Sequence, residues 1–185
     1  MDGNFSTTFL IFDIMNYLSL HLVIVLIPLI LSNVLHMLVI KQNLFPGLNI
    51  PVWTNGFGAN KTWRGLIYLP VVNSLILSTL NLFFVLSVES PALLGFVLGS
   101  AYMIFELPNS YLKRKIGIKS GEQHTKFGFI FSMIDKMDSA FGVALTYLLL
   151  GFIDLEFAGI LFVISCLAHI IFSKLLVILK IKKSF

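Results

Sequence analysis

The chain has 185 residues, of which 57% are hydrophobic and only 12% charged, with 18 phenylalanines and a mean hydropathy of +0.94. A soluble domain carries about 25% charged residues, and a chain of this size has too little interior to hide so much apolar side chain from water. A water-soluble fold is therefore excluded, and the net charge of +4 is read as membrane topology rather than as nucleic-acid binding.

Runs free of Asp, Glu, Lys and Arg cover residues 14–40, 65–88, 90–105 and 157–173. A helix crossing ~30 Å of hydrocarbon needs about 20 mostly apolar residues. The pattern predicts an all-α integral membrane protein, one polytopic domain over 1–185 with five spans near 18–40, 66–87, 91–107, 127–151 and 157–179. The first is not a signal peptide: its apolar run is too long, and Asp2 and Asp13 stand where a basic segment would be. Cys166 is the lone cysteine, which rules out a disulfide within the chain or a cysteine metal cluster.

Basic residues set the orientation. Five spans with the N-terminus outside put 41–65, 108–126 and the C-terminal tail inside. These segments hold Lys41, Lys61 and Arg64; Lys113, Arg114, Lys115, Lys119 and Lys126; and Lys174, Lys180, Lys182 and Lys183, twelve of the thirteen Lys and Arg. The outside segments hold only Asp2, Asp13, Glu89, Asp154 and Glu156. That asymmetry predicts N-out, C-in, with cytoplasmic loops 41–65 and 108–126. The KIKK tail (Lys180 to Lys183) anchors the last helix and can touch anionic headgroups.

The first inner loop, KQNLFPGLNIPVWTNGFGANKTWRG (Lys41 to Gly65), is long for a connection. Gly56, Gly58 and Gly65 permit close backbone approach while Lys61, Thr62 and Arg64 supply donors, a mixture suited to a nucleotide phosphate. The competing reading is a positive-inside loop with Trp53 and Trp63 at the membrane interface. The second polar stretch is ELPNSYLKRKIG, Glu106 to Gly117. Pro108 is expected to end or kink the third span, with Asn109 or Ser110 capping a following turn. Ser110, Lys113 and Arg114 then share one helix face, a cradle for phosphate oxygens at a helix start. A stop-transfer cluster explains LKRK equally well but leaves Glu106 unexplained.

The third stretch is SMIDKMDSAFG, Ser132 to Gly142, inside the fourth span. Charges at bilayer depth usually face a bundle interior or a watery cavity and mark function. Asp135 and Asp138, at i and i+3, can share a cation, whereas Lys136 points about 100° away. Ser120 and Gln123 resemble a capping box that starts this helix early. Oxygen-only ligands favour Mg²⁺ or another hard cation; the competing reading is a structural carboxylate bonded to neighbouring helices. His21 and His36 read as helix-packing residues, and Asn73, Ser74 and Asn81 as interhelical hydrogen-bonders. His124 reads as a solvated loop residue.

Together these stretches resemble a known family. The pattern Ser-x-x-Lys-Arg, about twenty residues, then Asp-x-x-Asp-Ser (Ser110, Lys113, Arg114, Asp135, Asp138 and Ser139) is similar to the signature of the CTP:phosphatidate cytidylyltransferases, the CDP-diglyceride synthases. Within that superfamily the chain looks most like the short, five-helix CDP-archaeol synthases, which share the KTWRG loop (Lys61 to Gly65) and an acidic residue four before the serine, Glu106 here. The resemblance spans roughly residues 50–145. The phosphatidate enzymes carry a Pro-Gly-His-Gly-Gly run before the first Asp and usually an Arg after it. Here the linker is SGEQHTKFGFIFSMI and the following residue Lys136, which points away from that branch.

The resemblance implies transfer of a cytidylyl group from CTP to a lipid phosphate at the cytoplasmic face of the cell membrane. Asp135 and Asp138 would hold Mg²⁺, Lys113, Arg114 and Ser110 would bind phosphates, and Glu106 would orient a basic residue or a second metal. Lys61, Thr62 and Arg64 would close over CTP, with Asn109 and Ser139 lining the site. The implied partners are CTP, a lipid phosphate and membrane lipids, with room for a homodimer. The rival from another class is a small ion- or proton-coupled transporter using the Asp135/Asp138 pair.

Overall fold

The computed structural model describes residues 3–84, 86, 88–119 and 128–181, with side chains for all of these except 3–14 and 128–132. The protein is all-helical: α1 (Gly3–Lys41), a 3-10 turn (Pro46–Leu48), α2 (Thr54–Phe57), α3 (Trp63–Phe84), α4 (Pro91–Lys115), α5 (Gly128–Leu149) and α6 (Leu155–Ile178). Among the described residues there is no strand, only an isolated antiparallel bridge between Pro51 and Thr62. Among the described residues four stretches, Met15–Lys41, Trp63–Phe84, Pro91–Lys115 and Leu155–Ile178, are long and apolar enough to cross a membrane. Helix α5 is 22 residues long and carries Asp135, Lys136 and Asp138. The Ser120–Gln123 capping box and His124 lie outside the described residues.

Each charge-free run becomes a helix, and two helices run further than expected. Helix α1 has 39 residues, about 58 Å at 1.5 Å per residue, although about 20 residues suffice to cross. Helix α4 does not end at Pro108 but continues to Lys115. Prolines are tolerated in membrane helices when neighbouring groups re-satisfy the backbone. The carbonyl that loses its amide donor to Pro108 is that of Ile104; the Ser110 hydroxyl donates to a different one, the Glu106 carbonyl, at 2.9 Å. The expected helix start at Asn109 or Ser110 is thus the last turns of α4. A helix C-terminus favours cations rather than anions, so Lys113, Arg114 and Lys115 sit where the dipole suits them, and no helix-start cradle for phosphate exists there. Gly117, at φ +85°, ends the helix. Its amide bonds the Arg114 carbonyl at 3.1 Å, and the Ile118 amide bonds that of Lys113 at 2.9 Å, a Schellman stop that needs the left-handed conformation.

The long helices pack up and down. Helix α4 lies antiparallel on α3, because Gly95 faces Ser74 and Gly99 faces Pro70. A Cβ on Gly95 would lie 2.7 Å from the Ser74 Cα, and one on Gly99 2.7 Å from the Pro70 Cα. This Gly-x-x-x-Gly seam lets the two backbones meet, as small residues do in lipid, where no hydrophobic effect drives helices together. Asn73 seals the seam by donating to the Gly95 carbonyl at 2.6 Å and accepting from Ser32 of α1 at 3.4 Å. Ser74 donates to the Ala92 carbonyl at 2.7 Å. Asn73 and Ser74 are therefore interhelical, as read, while Asn81 accepts from the Val88 amide of the following loop at 3.4 Å.

On its other side α4 meets α5, where the Phe105 ring fills the space a Cβ on Gly142 would need. At the far end of the bundle His21 Nδ1 lies 2.7 Å from the Tyr147 hydroxyl, and the Tyr17 hydroxyl donates to the Phe152 carbonyl at 3.1 Å, tying α1 to the end of α5. His21 is a helix-packing residue.

Substituting Gly99→Ala should push α3 and α4 apart and cost about 1–3 kcal/mol, the usual penalty of overpacking. Gly159→Ala, with nothing within 4 Å of the added Cβ, is the matched control. Thermal unfolding in detergent should place Gly99→Ala several degrees below Gly159→Ala; equal midpoints would show that the seam tolerates widening.

Candidate functional site

The polar side chains gather where the end of α4, the start of α5 and the loop before α3 come together. Asn109 and Lys113 are four apart on α4 and so share a face. The Asn109 amide donates to Asp135 Oδ1 at 2.6 Å and to Asp138 Oδ2 at 3.2 Å. The Lys113 ammonium pairs with both oxygens of Asp135. The remaining oxygen, Asp138 Oδ1, accepts from the Ser139 amide at 2.7 Å. The two carboxylates thus converge on the Asn109 amide, as the i, i+3 spacing on α5 allows, with the Lys113 ammonium on Asp135.

A second ion pair lies beside the first. Lys61, in the loop before α3, pairs with Glu106 of α4, with side chains 21% and 17% exposed respectively. Burial by itself would lower the Lys61 pKa. Glu106, assisted by Asp138 and Asp135, reverses that, and the net pKa lies above the ordinary value. Glu106 is thus the carboxylate partner of Lys61.

The loop that carries Lys61 is ordered by its own residues. The Val52 amide bonds the Lys61 carbonyl at 2.9 Å, and the Trp63 amide bonds that of Ile50 at 3.0 Å. Thr62 accepts the Gly65 and Leu66 amides at 3.1 and 3.3 Å and so opens α3 through its backbone. Trp53 lies against Gly56, where a Cβ would sit 2.1 Å from the ring, and stacks on Tyr111 of α4 with centroids 5.9 Å apart. Gly56 and Gly65 are thus taken up by packing, the latter against Met103 and His36.

The arginines point elsewhere. Arg64 is 4% exposed and donates to the Leu44 carbonyl at 3.0 Å and to Asn49 Oδ1 at 3.2 Å; it orders the loop from within instead of facing a ligand. Arg114 donates to the Ile118 carbonyl and braces the turn that ends α4. The Ser110 hydroxyl is engaged on the Glu106 carbonyl. Of the sequence-predicted site residues, Asp135, Asp138, Asn109, Lys113, Lys61 and Glu106 come together, whereas Arg64, Arg114 and the side chain of Ser110 serve the backbone.

Behind the site runs a buried polar chain that the sequence reading did not assemble. Ser139 is fully buried, its hydroxyl without a hydrogen-bond partner among the described residues, and the Tyr102 hydroxyl lies 3.2 Å from His169 Nε2. His169 Nδ1 is 3.2 Å from the Lys136 carbonyl. A carbonyl only accepts, so Nδ1 carries the proton and Nε2 accepts from Tyr102. Lys136 itself is 5% exposed on the side of α5 turned from the carboxylates. The signal that could have found this chain was the spacing of Ser165, His169 and Ser173, one face of α6. His36, read as packing, stacks on Tyr68 at 6.1 Å, and its Nε2 has no hydrogen-bond partner among the described residues.

A hard dication fits this donor set. Among the described residues no three His, Cys, Asp or Glu side chains form a metal-holding group, but Mg²⁺ is commonly held by one or two carboxylates with substrate phosphates and water supplying the rest. Asp135 already holds a cationic group, the Lys113 ammonium, and the Asn109 amide brings Asp138 beside it. Comparison of the chain with protein-family models, curated proteins and solved structures finds no match.

The raised Lys61 pKa fixes the sign of a pH effect. The ion pair's contribution is fully present below the ordinary lysine value of 10.5 and is lost as pH rises through the higher folded value. In a Trp63→Phe background, acrylamide quenching of Trp53 should stay constant from neutral pH to about 10.5 and rise above it. Lys61→Met should show the raised quenching at every pH; quenching equal to the parent would mean that the ion pair does not hold the loop.

Proposed function

We propose that the protein is a membrane cytidylyltransferase, transferring CMP from CTP to a lipid phosphate to form a CDP-lipid of the CDP-archaeol type and pyrophosphate. The observation that supports this reading is the Asn109 amide shared by Asp135 and Asp138 beside Lys113. It joins the Ser-x-x-Lys-Arg and Asp-x-x-Asp-Ser stretches, separate in sequence, into one site.

In the reaction an ionised oxygen of the lipid phosphate attacks the α-phosphorus of CTP, a new P–O bond forms, and the bond from that phosphorus to the bridging oxygen breaks, releasing pyrophosphate. The nucleophile is already ionised, so no general base is needed, and catalysis consists of positioning two polyanions and neutralising their charge. Asp135 and Asp138 would hold Mg²⁺, which when bound supplies Lewis-acid stabilisation of the phosphoryl oxygens. Asn109 keeps the two carboxylates facing each other. Lys113 and Lys61 supply exchangeable positive charge from opposite sides of the site, and Glu106 sets the direction of Lys61. Arg64 and Thr62 act on the substrate only through the loop they order.

The topology proposed with it is five spans, α5 being the charged one, with the N-terminus outside. The basic ends of α1, α4 and α6 then face the cytoplasm, CTP arrives from that side, and the acceptor's chains stay in lipid.

Asp135→Asn and Asp138→Asn should each lower CDP-lipid formation by ~10²–10³-fold while leaving membrane insertion intact, measured with labelled CTP, Mg²⁺ and a lipid phosphate. Full activity in both variants would remove the metal from the mechanism. Indifference of the wild type to CTP together with proton or ion flux in vesicles would install the transporter instead.

A further inference from the structure

The carboxylates proposed to hold a dication are not bare in the unliganded protein. Asp135 accepts Lys113 on both of its oxygens, and every oxygen of Asp135 and Asp138 has a donor. A cation cannot reach both oxygens of Asp135 while that ammonium stays in place. Lysine suits exchange, since it is a single point charge on a flexible stem, unlike the forked grip of an arginine. Its side chain is 15% exposed and that of Asp135 is 47% exposed, so the pair lies at an open side of the cluster where a new partner can approach. The phosphates of a nucleotide are the natural alternative acceptors for the displaced ammonium.

We propose that Lys113 is an exchangeable occupant of the Asp135–Asp138 cation position, neutralising the carboxylates until a dication displaces it and then turning to the polyphosphate. This rests on the reading of the site given above and adds its order of assembly. Dication and nucleotide each create the binding partner the other needs, so their affinities are coupled and the coupling is reciprocal. The unliganded site is held closed to either alone. Lys113 is thus both a competitor of the metal and a ligand of the substrate, two roles with opposite consequences when it is removed.

The test is Mn²⁺ binding to the full chain in detergent, followed by the loss of the free-ion EPR signal, first without nucleotide. Lys113→Met should bind Mn²⁺ about tenfold more tightly than wild type, the scale of one charge-assisted contact discounted for exposure. It should also bind CTP, at saturating Mn²⁺, more weakly. Lys113→Arg, with a stronger hold on Asp135, should bind Mn²⁺ no better than wild type. Lys115→Met removes the same charge from the exposed neighbour and controls for the general field. Unchanged or weaker Mn²⁺ binding in Lys113→Met overturns the exchange, as does equal tightening in Lys115→Met. If the Mn²⁺ ordering holds but wild type with Mn²⁺ binds no CTP, the exchange stands and the cytidylyl reading falls. If CTP binds and the ordering fails, the exchange alone falls.

Discussion

Two carboxylates one turn apart on α5 take their donors largely from a neighbouring helix, and α4 supplies them. A carboxylate drawn away from bulk water needs a donor that can reach it. Asn109 and Lys113 can, but only if α4 stays helical past Pro108, so that both project from one face. That continuation holds the site together. With α4 stopped at Pro108, the Asp135 partner would be a loop lysine and Asn109 would reach neither carboxylate.

The rest of the bundle can be read as support for α4. The glycine seam at Gly95 and Gly99 brings its backbone against α3, and Asn73 with Ser32 locks α1 to the same line. Because α3 is held there, its N-terminal loop ends beside Glu106, where Lys61 completes the second ion pair. Trp53 on Tyr111 pins the middle of that loop to the last turns of α4. Close packing far from the carboxylates therefore decides how near Lys61 comes to them.

Apolar runs are a one-dimensional property, so helices α1, α3, α4 and α6 were legible from the absence of charge alone. The i, i+3 face of Asp135 and Asp138 followed likewise from helical geometry. Less legible were the ends and the partners. Where α4 stops depends on the left-handed turn at Gly117, and its run past Pro108 goes against the local preference of proline to end a helix. Which basic residue Glu106 orients is a contact across 45 residues that no spacing rule contains. The direction of Arg64 shows the same limit: a cation in a loop reads as a ligand donor until the Leu44 carbonyl and Asn49 claim it. The Gly95–Gly99 spacing was present in the sequence and carried packing information that charge patterns did not.

The cations divide by chemistry as well as by place. Both arginines near the site, Arg64 and Arg114, are engaged on backbone carbonyls, which fix loops permanently because the guanidinium grips several acceptors in one plane. Both lysines are engaged on carboxylates, contacts that a competing ion can exchange. The Lys61 ammonium lies on Glu106 and that of Lys113 on Asp135, while the Asn109 side chain and the Ser139 amide hold Asp138. On the proposed reading, a dication at these carboxylates adds positive charge that an arriving polyphosphate would then neutralise. An exchangeable lysine then ties the two arrivals together, because the dication frees the Lys113 ammonium and the polyphosphate takes it up, so that each favours the other.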